Sequence, residues 1–209
     1  MYIPAQFHET NPACLDWLAA HDAFGTLISM ADAAPVATHL PVLYERTGAR
    51  VLLTGHWARG NPQWQSIKEQ RVLFIFHGPH AYISPRWYTN PEANVPTWDY
   101  ATAHLYGRIR LVEDPAMLRK IVSALAAYYE SAAKEPWRMN DSEESAKRLR
   151  GIVGFELAVD DIQVKFKLNQ NHPASNIEGT IAGLRAQGGA GSLAVAALMQ
   201  EALDKRPRP

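Results

Sequence analysis

From Phe24 to His56 the chain runs in short apolar and β-branched stretches, Gly25 to Met30, Val36 to Tyr44 and Arg50 to His56, separated by DAAP and ERTGA. Such runs bounded by turn residues predict a meander of antiparallel strands. Three more β-type segments follow. Val72 to Phe76 is a continuous apolar run expected in a central strand, Ala81 to Ser84 is short, and Trp98 to Val112 is long enough to bend or bulge at Gly107. Gly154 to Leu168 returns to the same pattern.

Helical spacing appears at the flanks. Asn11-Pro12 pairs a capping residue with proline at the first helical position, and Leu15, Leu18 and Ala19 then share one face up to about His21. Asn61-Pro62 repeats the signal before a short helix carrying Trp64 and Ile67. Asp114-Pro115 opens the clearest helix, with Met117, Leu118, Ile121, Val122, Leu125, Tyr128 and Tyr129 recurring at its period. Ser142 to Arg150 is a second, charged helix. Two more, about 177–186 and 192–203, flank a GGAGS break, and the KRPRP tail is expected to be disordered. The whole predicts one domain over 1–209. It is mainly β with flanking helices (α+β): a small barrel of about six antiparallel strands, a helical insertion at about 114–150 and C-terminal helices at about 177–203. An open α+β sheet is the alternative.

At 209 residues the chain is long enough for one sizeable core. Lysine and arginine number 21, as do aspartate and glutamate, so there is no basic footprint for nucleic acid beyond the short cluster Lys205, Arg206 and Arg208. A single cysteine, Cys14, excludes an intrachain disulfide and fits a reducing compartment. No stretch approaches a membrane span and the N-terminus lacks a signal-peptide pattern, so a cytoplasmic protein is expected.

Three segments carry candidate chemistry. Thr54 to Pro62 leaves a strand, passes two glycines and enters a helix, an arrangement that attracts anions, with His56 and Arg59 able to add charge-assisted bonds; on pattern alone an ordinary strand-to-helix turn capped by Asn61, with Arg59 in solvent, is the favoured explanation. In Thr38-His39-Leu40-Pro41, alternation puts Thr38 and Leu40 on one face and His39 on the other, and Pro41 marks an edge or bulge. In KFKLNQN, both lysines share a face. That segment is either an edge strand guarded by charge or a pocket rim at Lys167, Gln170 and Asn171. Between Pro85 and Pro96, and just beyond, Trp87, Tyr88, Trp98 and Tyr100 load a loop with rings that require a partner surface or a planar ligand. No metal site is expected: His77 and His80 bracket a Gly78-Pro79 turn without a third ligand at a recognised spacing. Nucleophile-elbow, dinucleotide-binding and nucleoside-triphosphate motifs do not occur.

Taken in order, MYIPAQF, THLP, TGHWARGNPQW, FHGPHAYISPRWY, VPTWDYATAHLYG and KFKLNQN resemble the PaiB-type family of FMN-binding negative transcriptional regulators. The resemblance implies an FMN-binding split barrel, a homodimer with the flavin near the subunit interface, and a regulatory role toward DNA. It implies that His56, Arg59 and Asn61 meet the phosphate, that Thr38, His39 and Leu40 border the isoalloxazine, and that Trp98, Tyr100, Lys167, Gln170 and Asn171 contribute at the interface. The chain departs from the family pattern at Asp99, where asparagine is common, and at Asn169, where serine is common. A carboxylate beside a phosphate is repelled, so either Asp99 faces away or its neighbourhood is not the phosphate site. An NAD(P)H-dependent flavin reductase or oxidase without DNA binding, and a haem-binding split barrel, are the alternatives; no residue marks a general acid or base, which leaves enzyme status open.

Overall fold

The computed structural model describes residues 1–67 and 70–206. The chain divides into two compact units, Ala19–Phe76 with His104–Ile162, and Met1–Leu18 with His77–Ala103 and the segment from Gln163 onward. Among the described residues there are eight strands: β1 (His8–Glu9), β2 (Phe24–Ala31), β3 (Ala34–Pro41), β4 (Leu43–Thr47), β5 (Arg50–Ala58), β6 (Arg71–Ile83), β7 (Thr97–Val112) and β8 (Ile152–Lys167). The helices are α1 (Pro12–His21), α2 (Gln63–Ser66), α3 (Pro115–Tyr129), α4 (Glu143–Leu149), α5 (Ala174–Gln187) and α6 (Ala190–Asp204). The sheet runs in the order β3-β2-β6-β7-β8-β5-β4, with β1 on β8, and no ladder joins the two ends among the described residues. The result is a mainly antiparallel, open sheet with flanking helices.

Local physics accounts for most boundaries. The Asn11 side chain accepts the Ala13 N–H at 3.0 Å, and Asp114 accepts that of Met117 at 2.9 Å, each satisfying a donor that the first helical turn leaves free. Two expected segments differ. The run from Val36 to Tyr44 breaks at Val42, because Pro41 has no N–H to offer and Val42, fully buried, donates instead to Ala23 O at 3.0 Å. The pieces Val72 to Phe76 and Ala81 to Ser84 are one strand, β6, running straight through the Gly78-Pro79 pair expected to turn. Gly78 is needed for closeness rather than for bending: a Cβ there would lie 2.6 Å from Ala101 O. Strand β7 likewise continues through Gly107.

In the first unit, β5 buries Val51, Leu53 and Trp57 on one face, and Trp57 packs on Phe155 with ring centroids 4.6 Å apart. Beneath them Gln63 is buried at the start of α2. Its Oε1 accepts from Trp57 Nε1 at 3.1 Å, and its Nε2 donates to Leu27 O, Ser29 Oγ and Val36 O at 3.1–3.2 Å. One side chain thus ties β2, β3 and β5 to α2. On the other face of β5 lies a second cluster, Val112, Leu118, Ile121, Leu125 and Leu149, from the end of β7 with α3 and α4.

The second unit contains α1, α5 and α6 with the ends of β6, β7 and β8. Trp87, expected at an exposed patch, packs its ring against α5, where a Cβ on Gly183 would lie 2.3 Å from it. Tyr88, expected beside it, is buried. The tail is also more fixed than expected: Arg206 donates to Gln170 O at 2.7 Å and His172 O at 3.1 Å, and Lys205 pairs with Glu201 at 2.7 Å. The end of KRPRP, including Arg208, lies outside the described residues.

Candidate functional site

Strand β3 ends the sheet, as the proline at 41 foretold, and it presents Thr38 half-buried, His39 exposed and Leu40 buried. His39 stands opposite Thr26 on β2, and its Nδ1 lies 2.9 Å from Thr26 Oγ1. Its ring stacks on the half-exposed Phe24, centroids 6.3 Å apart and 27° between planes. With Nδ1 engaged, Nε2 is the free position. Thr38 Oγ1 accepts from Asn61 Nδ2 at 3.0 Å, while Asn61 Oδ1 accepts the Gln63 N–H at 2.9 Å. Asn61 therefore braces the turn into α2, with one bond at each end of its amide.

Arg59 is held even more firmly. Its Nε donates to Arg150 O at 2.9 Å, one terminal nitrogen donates to Ile152 O at 3.1 Å, and the other lies 3.5 Å from Glu113. The guanidinium also sits over the Trp64 ring at 5.6 Å, and Trp64 Nε1 donates to Arg59 O at 2.9 Å. His56 pairs in register with Gly154, whose absent side chain would point at Leu118, Ile121 and Val112. Cross-strand partners share a face, so His56 lies on the side that α3 covers. Its Nδ1 is buried without a hydrogen-bond partner, and burial pushes the imidazole below its ordinary pKa. Any contact it makes near neutral pH is that of an uncharged ring.

In the other unit the aromatic loop and the end of β8 form a second group of side chains. Trp98 is 53 % exposed and flanked by Tyr82 and His80, with centroids 6.1 and 6.2 Å away. Lys167 fixes the strand beneath it, donating to Thr97 Oγ1 at 2.5 Å and to Trp98 O at 2.6 Å, and lying 3.2 Å from Asp99 Oδ1. Asp99 is fully buried and its other oxygen has no partner. Burial raises its pKa to about 6 against the opposing pull of Lys167. Asp99 thus points inward at a lysine rather than toward any surface site. Of the two readings of this segment, edge strand or pocket rim, the edge strand does not hold: β8 is interior to the sheet, and Lys165 is itself buried, donating to Tyr2 O at 3.2 Å with its ammonium 5.1 Å from the Tyr100 ring.

Gln170 turns both ends of its amide back on β8, accepting from Leu168 N at 2.6 Å and donating to Phe166 O at 2.5 Å. Asn169 takes up a positive φ of 59°, which asparagine tolerates better than serine, and donates to Tyr88 Oη at 3.1 Å. That accounts for the second departure at this position. Asn171 is exposed. Of the candidate residues, those with polar atoms uncommitted among the described residues are His39 in one unit and Trp98, Tyr100 and Asn171 in the other. Sequence reading missed Phe24, Tyr82 and His80 as their aromatic neighbours. Alternation along β6 places His80 and Tyr82 on one face and was the signal for two of them.

Cys14 has no such role, because burial and the nearby Glu9 push its thiol up to about 11, away from the reactive thiolate. Among the described residues no helix is long and apolar enough to cross a membrane.

Comparison with known proteins adds three findings. Residues 1–161 match the model of a family described as "Putative FMN-binding domain". The "Protease synthase and sporulation protein PAI 2" of Bacillus subtilis is 35% identical over 209 residues, covering 99% of this chain and 100% of that one. Among solved structures, a flavocytochrome from Azotobacter vinelandii superposes with a TM-score of 0.58 at 14% identity, over 77% of this chain and 69% of the other. An FAD and heme binding protein from Mycobacterium smegmatis gives 0.58 at 18%, over 87% and 80%. At these identities the two structures speak to the fold, which is the split barrel.

Proposed function

Since the chain belongs to the PaiB-type family of FMN-binding split-barrel proteins, we propose that it binds FMN as a homodimer and serves as a flavin-dependent redox or regulatory protein. The observation that carries this reading is the exposed Trp98, flanked by Tyr82 and His80 and held from beneath by Lys167. A large ring surface that a folded chain leaves in water invites a planar partner. Within the unit that carries Trp98, both Tyr100, two residues further along β7, and the exposed Asn171 offer further polar groups. In the other unit, taken by itself, His39 offers Nε2 on the edge strand. Thr38 and Leu40 border His39 along β3. His56, Arg59 and Asn61 are the weaker part of the proposed set, because Arg59 and Asn61 are engaged within the fold and His56 lies under α3. Lys167 and Gln170 act as positioning residues that fix the strand carrying Trp98 and the turn carrying Asn171.

Bound FMN supplies the redox chemistry, and the chain supplies position and exclusion of water. A negative regulatory role is part of the same proposal on family grounds; with zero net charge it calls for an indirect route through a metabolite or redox signal rather than a basic DNA-binding face. Titration of the protein with FMN is expected to quench flavin fluorescence at micromolar concentration, with riboflavin weaker because it lacks the phosphate. Replacing Trp98 with alanine is expected to weaken FMN about tenfold without changing the unfolding midpoint, since the ring is largely exposed. No uptake of FMN at tens of micromolar would refute the reading. Sedimentation is expected to give a dimer; a monomer there would remove the shared interface.

A further inference from the structure

Near the start of α3 a cavity of about 560 Å³ opens between α3 and α4. Its floor is apolar, with Leu118 and Leu149 both buried and Ala146 between them in the lining. Its rim carries three guanidinium groups, Arg59, Arg119 and Arg150, against one carboxylate, Glu113. Two of the three are positioned in advance. Arg59 is fixed by the carbonyls of Arg150 and Ile152, and Arg119 by Asn140 O and Asp141, each at 3.0 Å. Among the described residues Arg150 has no side-chain partner, so one guanidinium fork in the lining is uncommitted. Counting Asp141 against Arg119 and Glu113 against Arg59, one positive charge remains uncompensated.

The combination is selective. A pocket of this size with an apolar floor suits a small organic molecule. A free fork of N–H donors at the rim matches a carboxylate or phosphate, which it can grip with two parallel bonds. An inorganic ion would leave the floor wetted and a purely apolar molecule would leave the fork unused. We propose that this cavity is a binding site for a small amphipathic anion, its apolar body on Leu118, Leu149 and Ala146 and its anionic head at Arg150. The cavity shares Arg59 with the weaker part of the flavin set proposed above, but the anion's head is assigned to Arg150, which that set does not include.

The test is calorimetric titration of the full chain, before and after incubation with FMN, with hexanoate, hexyl phosphate and hexanol. The anions are expected to saturate one site per chain near millimolar concentration, with hexanol at least about tenfold weaker. The better of the two anions identifies the head group as carboxylate or phosphate. Arg150→Gln is expected to weaken the anion about tenfold while leaving FMN uptake and the unfolding midpoint unchanged. Ala146→Trp, which fills the cavity, is expected to abolish binding. The proposal is overturned if the anions do not saturate, if hexanol binds equally well, if both variants bind like the parent, or if FMN displaces the anion. Failure of FMN uptake alone would leave the anion result intact, so the two proposals fail separately.

Discussion

Replacing Lys167 with methionine is expected to lower stability by about 3 kcal/mol, the cost of stranding a buried charge. Lys167 is the cation facing Asp99, which is fully buried and has one carboxylate oxygen already without a partner. Removing it leaves Asp99 to be neutralised by a proton, and the Trp98 and Thr97 oxygens lose their donor too. The double variant K167M/D99N is expected to recover much of the loss, because asparagine brings no charge to be paired. Chemical unfolding of the three variants closes this cycle. Equal losses in the single and double variants would show that the pair is not what holds the strand.

The same pair sets a pH dependence with a defined sign. Asp99 titrates near pH 6 in the folded chain against an ordinary value of 3.8. Between those values the folded state binds more protons than the unfolded state, so this carboxyl's contribution to stability falls as pH rises and is fully lost above about pH 6. The size of the effect is on the order of 3 kcal/mol. Asp99→Asn is expected to remove that downward component between pH 4 and 6. An unchanged slope in the variant would contradict the assignment.

Replacing Gln63 with leucine is expected to cost about 3 kcal/mol, for a different reason. The side chain is buried and each end of its amide is used: the oxygen by Trp57 Nε1, the nitrogen by Leu27 O, Ser29 Oγ and Val36 O. Leucine matches the size but leaves a buried indole donor and strand acceptors unsatisfied, and such groups cost more than the bonds themselves contribute. Because these contacts join β2 and β3 to β5 and α2, the edge strand carrying Thr38, His39 and Leu40 is expected to loosen first. Amide exchange along β3 reads that directly, and urea unfolding reads the total. A loss below about 1 kcal/mol with unchanged exchange would mean the strands hold without the amide.

The elements were largely legible in the chain. Helices α1 and α3 follow from Asn11-Pro12 and Asp114-Pro115 with helical spacing behind them, and β2 and β5 follow from apolar runs between turn residues. These are local preferences, written within a few residues of where they act. Where the reading slipped, a distant backbone had decided. Gly78-Pro79 has the composition of a turn, yet the chain stays extended because β7 passes close to Gly78. Lys165 and Lys167 have the spacing of edge guards, yet β1 pairs with this end of β8, His8 opposite Lys165, and the two ammonium groups turn to Tyr2 O and Trp98 O.

For the site, ordered motifs named the family and its flavin-binding character, because the order of segments survives in sequence. What the sequence did not contain is how each side chain spends its hydrogen bonds. Arg59, Asn61, Lys167 and Gln170 look like ligand contacts by type and position, and the fold engages Arg59 and Gln170 with backbone carbonyls, Asn61 with the Thr38 hydroxyl and the Gln63 N–H, and Lys167 with a buried carboxylate. Residue type fixes how many donors a group has; only packing fixes which remain. Asp99 shows both halves. Its identity as a carboxylate beside Trp98 was plain from the chain, while its inward aim at Lys167, its full burial and its raised pKa come from strands β7 and β8 bringing residues 68 positions apart within 3.2 Å.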